Sequence, residues 1–498
     1  MEIFLAIVQA CVVLGAIVLG VRMGGIGLGL WGVVGTGVLV FGFGLAPGDL
    51  PIDAFFIIIA VITASAAMQA AGGIDYLVGI ASKIIRANPK RLTYVAPLVA
   101  FAFTALSGTS NIFFALIPVI YETAYRNGQR PERSLAASTV TSGLGITASP
   151  VSAAMAAYLV LVEPQGFPLP RILMITVPAA IVACIVTSFV QQRIGKELID
   201  DPKFLKRVEA GEVEMPPVLA AKYRAKLAAE GGAGGGVGGS SSADAAGSAT
   251  ATDAGNDTSS GSGGSPASTV EATAPHEQPV PKGGRSSAWV FIAAIIVIVA
   301  LGLFPSIRPQ VPTGDDGETE AISMSIVIEI LMFTAALVIM IMRKVKPAKV
   351  LDQSLMASGF IAAIALFGIA WMADTFIGGN QETIIDPLGD LITHAPLLLA
   401  VALFIVCGLT TSQSATTNMI VPIAIAAAVA PGVITAMWPS LIGVWLFPAN
   451  GSQIAAVETD RTGTTKLSPV PIWHSFTIPM LVSWVAVVGV GLLIQLIP

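Results

Sequence analysis

Charge is what this sequence has least of. Only 11% of its 498 residues are Asp, Glu, Lys or Arg, too few to coat a water-soluble protein of that size. Cysteine and histidine are rarer still, at three each. Cys11, Cys184 and Cys407 lie inside apolar runs with no CxxC spacing, so they read as small buried hydrophobes, not as disulfides or metal ligands. The basic residues sit in short clusters between apolar runs and never form one extended patch, which gives no reason to expect nucleic acid. No cofactor and no metal are expected.

What fills the space is apolar. Hydrophobic residues make up 54% of the chain and the mean hydropathy is +0.80. Stretches of roughly 20 apolar residues recur, the length that crosses a hydrocarbon core of about 30 Å. The chain is therefore read as a polytopic all-α membrane protein with lipid as its solvent. Its first residues, MEIFLAIVQACVVLGAIVLG, carry Glu2 where a signal peptide has Lys or Arg, and read as a retained first span.

One stretch breaks the pattern. Residues 200–285 turn polar and then collapse into Gly, Ser, Ala and Thr, a composition with too little apolar area to offset the entropy of ordering. This flexible linker divides a first membrane repeat, 1–199, from a second, 286–498. In the first, apolar spans fall near 3–20, 24–45, 52–71, 135–162 and 171–191. In the second they fall near 287–304, 322–342, 355–377, 433–456 and 472–496. Each half also holds an apolar stretch interrupted by polar residues, 92–122 at SGTSN and 395–430 at TTSQSATTN.

Loop charge suggests an orientation. Lys83, Arg86, Lys90 and Arg91 precede the first interrupted stretch, and Arg126, Arg130 and Arg133 follow it. Short loops rich in Lys and Arg stay in the cytoplasm, so residues 92–122 read as a re-entrant hairpin from that side. Arg343, Lys344, Lys346 and Lys349 mark another cytoplasmic loop, whereas 313–321 and 379–394 are acidic and should face outward. The 395–430 hairpin would then enter from outside. Five spans and one hairpin per half give two repeats of opposite orientation, the inverted-repeat plan of secondary transporters. Both termini would lie outside and the linker in the cytoplasm.

Non-helical backbone at membrane depth survives only where it lines a cavity or is buried in protein. Four such breaks occur. The first is Ser107, Gly108, Thr109, Ser110 and Asn111; the second centres on Thr147, Ser149, Pro150 and Ser152. The third includes Thr411, Ser412, Ser414, Thr417 and Asn418; the fourth includes Asn450, Ser452 and Gln453. Half-helix N-termini expose free N–H groups and the positive end of the helix dipole, which suits a carboxylate. Ser, Thr and Asn add donors without burying a permanent charge. Two such clusters facing one another would suit a substrate with a carboxylate at each end. For a single Ser or Thr, ordinary helix–helix hydrogen bonding explains as much.

At these same segments the sequence resembles the anaerobic C4-dicarboxylate transporter family, the Dcu type. The stretches are IAVITASAAMQAAGGID at 59–75, SGTSNIFFALIPVIYETA at 107–124, RPERSLAASTVTSGLGITASPVS at 130–152, FGIAWMADTF at 367–376, SQSATTNMIVPIAIA at 412–426 and DRTGTTKLSPVPIWHSF at 460–476. The resemblance implies exchange or uptake of fumarate, succinate, malate or aspartate across the inner membrane. It also implies kinship with a broader ion-transporter group that works as an elevator, and a homodimer. By that similarity Ser107, Thr109, Asn111, Ser149, Ser152, Ser412, Ser414 and Asn418 would touch substrate. The linker departs from the shorter central loop of the family, and PANGSQ at 448–453 departs from its PTYPS motif.

Ionisable residues near the spans are candidates for gating or coupling to H+ or Na+. Asp374 ends WMAD in the eighth span, Asp460 and Arg461 follow the fourth break, and His474 begins the last span. Arg461 would draw dianions to the inner vestibule or pair with Asp460 or Glu458. The alternative is a carrier of another small organic anion coupled to sodium or protons. A cation antiporter would need paired mid-membrane carboxylates, which the four breaks lack. An intramembrane serine protease would need a His or Lys beside its nucleophile, and no His lies near any break.

Overall fold

The computed structural model describes residues 2–23, 25–231, 283–313, 318–380, 397–447, 450–467 and 473–497. Much of the linker, the acidic loop around Glu382, Asp386 and Asp390, and Pro448–Ala449 of the PANGSQ motif lie outside the described residues. Seven helices among those described are long and apolar enough to cross a membrane.

In the first half, α1 (Glu2–Met23), α2 (Gly27–Gly37, continued by a π-helical turn at Val38–Gly42) and α3 (Ile52–Ala70) come first. Then follow α4 (Gly73–Ala87), α5 (Leu92–Ser107), α6 (Asn111–Arg126), α7 (Pro131–Thr147), α8 (Ala153–Val162) and α9 (Leu169–Gln191). Two short helices, α10 (Pro202–Glu209) and α11 (Pro217–Gly231), begin the polar region. The second half has α12 (Gly284–Leu303), α13 (Met324–Arg343), α14 (Pro347–Leu351) and α15 (Ser354–Gly379). It ends with α16 (Leu397–Thr410), α17 (Gln413–Ala426), α18 (Pro431–Met437, extended as a 3-10 helix over Trp438–Trp445), α19 (Gly451–Thr459) and α20 (Thr477–Ile494). Each half thus ends with a helical hairpin, a broken helix and a final long helix, preceded by three helices with α4 added in the first half and α14 in the second.

Two elements differ from the sequence reading. The basic stretch before Leu92 is not only a loop, because α4 runs through it. Leu77, Ala81 and Ile85 are buried one turn apart while Lys83 and Arg86 stay exposed, so its apolar face packs on α6 and α12. The chain is also not purely helical. In the segment between α12 and α13, Gln310–Thr313 pairs antiparallel with Glu318–Ala321.

Packing crosses between the halves. The third long helix of each half lies along the second of the other, α3 against α13 and α15 against α2. Close approach at α2–α15 depends on glycine: a Cβ on Gly29 would sit 2.1 Å from the Ile364 carbonyl oxygen, and one on Gly368 would sit 1.8 Å from that of Gly29. Small residues let membrane helices approach in this way. The final spans α9 and α20 pack together and share a buried Thr187–Ser483 hydroxyl pair at 2.6 Å. Tyr158 on α8 stacks on Trp438 with ring centroids 4.2 Å apart.

A buried ionic clasp ties the start of the polar region to both halves. Arg130, just before α7, bonds Glu132 at 2.6 Å and also pairs with Asp201. Glu132 in turn accepts from Ser475 Oγ at 2.6 Å, and its backbone N–H donates to Thr464 Oγ1. Burial pushes the Asp201 carboxyl up, but bonds from Arg130 and from the Lys203 and Phe204 N–H groups outweigh it, holding the group below its ordinary range. A depressed carboxyl stabilises above its unfolded pKa of about 3.9, and the gain is lost as pH falls through the lower folded value. Hydrogen exchange at the Lys203 and Phe204 amides should therefore stay slow at about pH 5 and quicken only below about pH 4; unchanged protection at both would show that the clasp does not hold α10.

Candidate functional site

The four breaks meet. Helix α5 ends in Gly108, whose φ of +70° closes it with a left-handed residue. A Cβ there would lie 2.5 Å from the Val151 carbonyl oxygen in the break between α7 and α8. Helix α16 ends equivalently, but at Thr411, a β-branched residue held at φ +51°, a conformation that strains L-residues. Between the two hairpin tips lies a cavity of about 370 Å³.

Gly108, Thr109, Ser110 and Asn111 line it from the first hairpin, and Thr411, Ser412, Gln413 and Ser414 from the second. Val151 and Ala153 come from the second break and Asn450 from the fourth. Helices α6, α8, α17 and α19 therefore all start beside this cavity, so four helix N-termini, each a positive dipole end, border it. Among the described residues no Asp, Glu, Lys or Arg lines it.

The remaining residues singled out in the breaks are not among those lining the cavity and, with Asn450 at its edge, bond the chain's own groups. Ser107 Oγ donates to the Thr109 carbonyl at 3.0 Å, and Thr147 Oγ1 to that of Leu144 at 3.1 Å. Ser149 Oγ accepts from the Val151 N–H, just past the Pro150 turn. Ser152 caps α8 by accepting from Met155 N–H at 3.0 Å and donates to the Ile146 carbonyl at 2.7 Å. Thr417 accepts from the Trp438 indole at 2.9 Å, and the Asn418 amide donates to the Ser414 carbonyl at 2.9 Å. Asn450 and Gln453 form a capping box at α19, with Asn450 accepting from Ser452 N–H and Gln453 donating to the Trp445 carbonyl at 2.9 Å. Asn450 and Gln453 thus both secure the restart of the broken helix.

None of the ionisable candidates lines the cavity. Asp374 accepts from the Asp49 N–H at 2.6 Å and fixes the loop before α3 to α15. Asp460 accepts from the N–H groups of Thr462 and Thr465 and from the hydroxyls of Thr462 and Thr464, folding the loop after α19 on itself. Arg461 is exposed and forms no ion pair with Asp460 or Glu458. His474 precedes the last helix instead of entering it. Its Nδ1 accepts from Phe476 N–H at 3.2 Å, so Nε2 carries the proton that faces the Leu446 carbonyl at 3.2 Å.

Sequence reasoning missed Gln413, which joins the halves. Its Nε2 donates to the Gly143 carbonyl at 3.1 Å and the Leu441 carbonyl at 3.3 Å, one from each broken helix. The residue was visible in the TTSQSATTN run, but its role depends on Gly143, 270 positions away. Ser65 and Ser358 also line the cavity and were missed, because they sit in uninterrupted spans. Trp445 lines it as well, with an indole N–H that is buried and has no acceptor among the described residues.

Long apolar helices around an uncharged, polar, partly open chamber describe a multi-pass membrane carrier. The chain belongs to the anaerobic C4-dicarboxylate membrane transporter family, whose model matches residues 5–497. It is similar to the anaerobic C4-dicarboxylate transporter DcuB of Escherichia coli O6:H1, with 32% identity over 480 residues and 95% of each chain covered. It is also 33% identical over 475 residues to the C4-dicarboxylate transporter DcuA of Escherichia coli K12, with 95% of each covered. The C4-dicarboxylate transporter DcuA of Helicobacter pylori is 31% identical over 485 residues, again 95% of each. The protein is a transporter and not an enzyme.

The two hairpin tips give substitutions of opposite sign. Gly108→Ala places a Cβ against Val151 in a left-handed position and should lower the stability of the purified protein by about 1–2 kcal/mol. Thr411→Gly relieves the same strain and should raise its thermal midpoint. Shifts of the same sign in both variants, read by thermal unfolding in detergent, would contradict this account of the tips.

Proposed function

We propose that this protein moves small four-carbon dicarboxylates across the inner membrane by alternating access, with the diacid bound between the two hairpin tips. The observation that carries this reading is the convergence of four helix N-termini on one uncharged cavity. Dipole ends and Ser, Thr and Asn donors favour carboxylates, and two opposed clusters match a ligand anionic at both ends. The names of the curated relatives point to the same ligands. The orphan indole N–H of Trp445 adds a donor of the right sign in the wall.

The repeated element order and the reciprocal α3–α13 and α2–α15 packing support two inverted repeats. In this reading the hairpins and broken helices travel together as an elevator against α1–α3, α12, α13 and α15. Both termini lie outside, the linker is cytoplasmic, and two copies pair as a homodimer. Fumarate, succinate, malate and aspartate are the ligands proposed. The cavity offers no acid to carry H+ or Na+, so balance of the ligand's charge falls to a counter-transported diacid or to an ion bound through neutral oxygens.

Counterflow in proteoliposomes tests the reading. Vesicles loaded with unlabelled succinate should transiently accumulate external labelled succinate, and failure with every four-carbon diacid would overturn it. Asn111 and Ser414 have side chains at the cavity, and a hydrogen bond to a charged group contributes about 1.5–3 kcal/mol. Asn111→Ala and Ser414→Ala should therefore each raise KM about tenfold or more. Asn418→Ala should act more weakly, because its amide is already bonded to Ser414. Wild-type KM in both cavity variants would remove the tips from substrate binding.

A further inference from the structure

The cavity carries no fixed charge, and the chain as a whole has a net charge of −5. A dianion approaching such a protein gains nothing at a distance unless some local field reverses the sign. One cleft supplies such a field. It has a volume of about 620 Å³ and lies where the end of α3 and the start of α4 meet the corner between α13 and α14. Arg343, Lys344, Lys346 and Lys349 line it, with Asp75 as the single acid.

The three lysines are exposed and enter no ion pair among the described residues. They are nonetheless held in place by their backbone. Lys344 closes α13 as a left-handed residue at φ 52°, with its N–H on the Ile341 carbonyl. Lys346 stands immediately before α14, which packs on α3 and buries Val350. Their charge is therefore presented from a fixed corner.

This cleft shares two helices with the substrate cavity. On α3, Ser65 lines the cavity and Gln69, one turn further, lines the cleft. At the start of α15, Leu355 lines the cavity, while Gln353, the residue that precedes the helix, lines the cleft. Gln69 stands at the junction, donating to Ser354 Oγ at 3.2 Å and accepting from Leu355 N–H at 3.4 Å.

The geometry points to a peripheral capture site on the cytoplasmic face for the transported anion: Lys344, Lys346 and Lys349 gather a small dicarboxylate in the cleft, from which it passes along the α3–α15 seam to the uncharged cavity. This rests on the dicarboxylate reading above and adds a second, weaker site to it. Focused fields of this kind speed association by about 10–1,000-fold and fade as salt rises. Capture by the cleft therefore acts on kcat/KM and leaves kcat alone.

The test is initial-rate succinate uptake into phosphatidylcholine proteoliposomes by carriers inserted with the cytoplasmic face outward, at about 20 mM and about 300 mM salt, on either side of the screening range. Wild-type kcat/KM should fall steeply with salt. The K344Q/K346Q/K349Q protein should lose about tenfold in kcat/KM at low salt, keep kcat, and show little further salt dependence. The corresponding triple Lys→Arg variant should restore the wild-type curve, and each single Lys→Gln variant should give part of the loss. Wild-type KM and salt slope in the triple Gln variant would overturn the inference while leaving dicarboxylate transport intact. A defect confined to vesicles containing phosphatidylglycerol would also overturn it, because it would identify a lipid headgroup as the occupant. Absence of diacid transport in the wild type would instead refute the functional reading on which the inference rests.

Discussion

A helix broken inside a protein that lives in lipid leaves backbone donors and acceptors that water cannot reach, and each must find a partner within the chain. Much of the architecture around the cavity follows from this requirement. Ser152, Ser412 and Asn450 cap the helices that restart after breaks. Gln453 accepts from the backbone of Asn450 and donates to that of Trp445. Gln413 serves a carbonyl from each half with one amide nitrogen. Only after these demands are met do the N-terminal ends at the tips remain for a ligand.

Polar residues in the breaks therefore fall into two groups that sequence alone does not separate. Ser110, Asn111 and Ser414 reach the cavity. Ser107, Thr147, Ser149 and Ser152 have the same chemistry and face inward to the chain's own backbone. Residue type located the breaks, and the direction of each side chain depended on a turn geometry that only coordinates contain. Gln413 was obscured for a different reason, since its two acceptors come from segments remote in sequence.

The long spans were legible because length and apolarity are local properties. Helix α3 starts and stops within a residue of its expected range, and α9 and α13 within two. Helix α4 was hidden because its Lys and Arg residues signal a loop, whereas its buried Leu77, Ala81 and Ile85 follow a helical period that a charge count overlooks. The acidic residues that stood out as candidates for coupling are each hydrogen-bonded to a loop: Asp374 accepts from the Asp49 N–H and Asp460 accepts from four donors. Scarcity of charge makes every ionised group conspicuous in such a sequence, and only coordinates show which backbone donors each one meets.

The absence of fixed charge in the chamber bears on the membrane potential. A binding site with its own cation would shuttle as a neutral or nearly neutral complex. Here a bound dianion would bring its whole charge into the electric field, and moving one elementary charge through 100 mV amounts to about 2.3 kcal/mol. Two charges would double that. On the proposed reading such a carrier would feel voltage on its loaded stroke and not on its empty one, so that swapping one dianion for another would be electrically silent while one-way passage of a bare dianion would be driven outward by a negative interior.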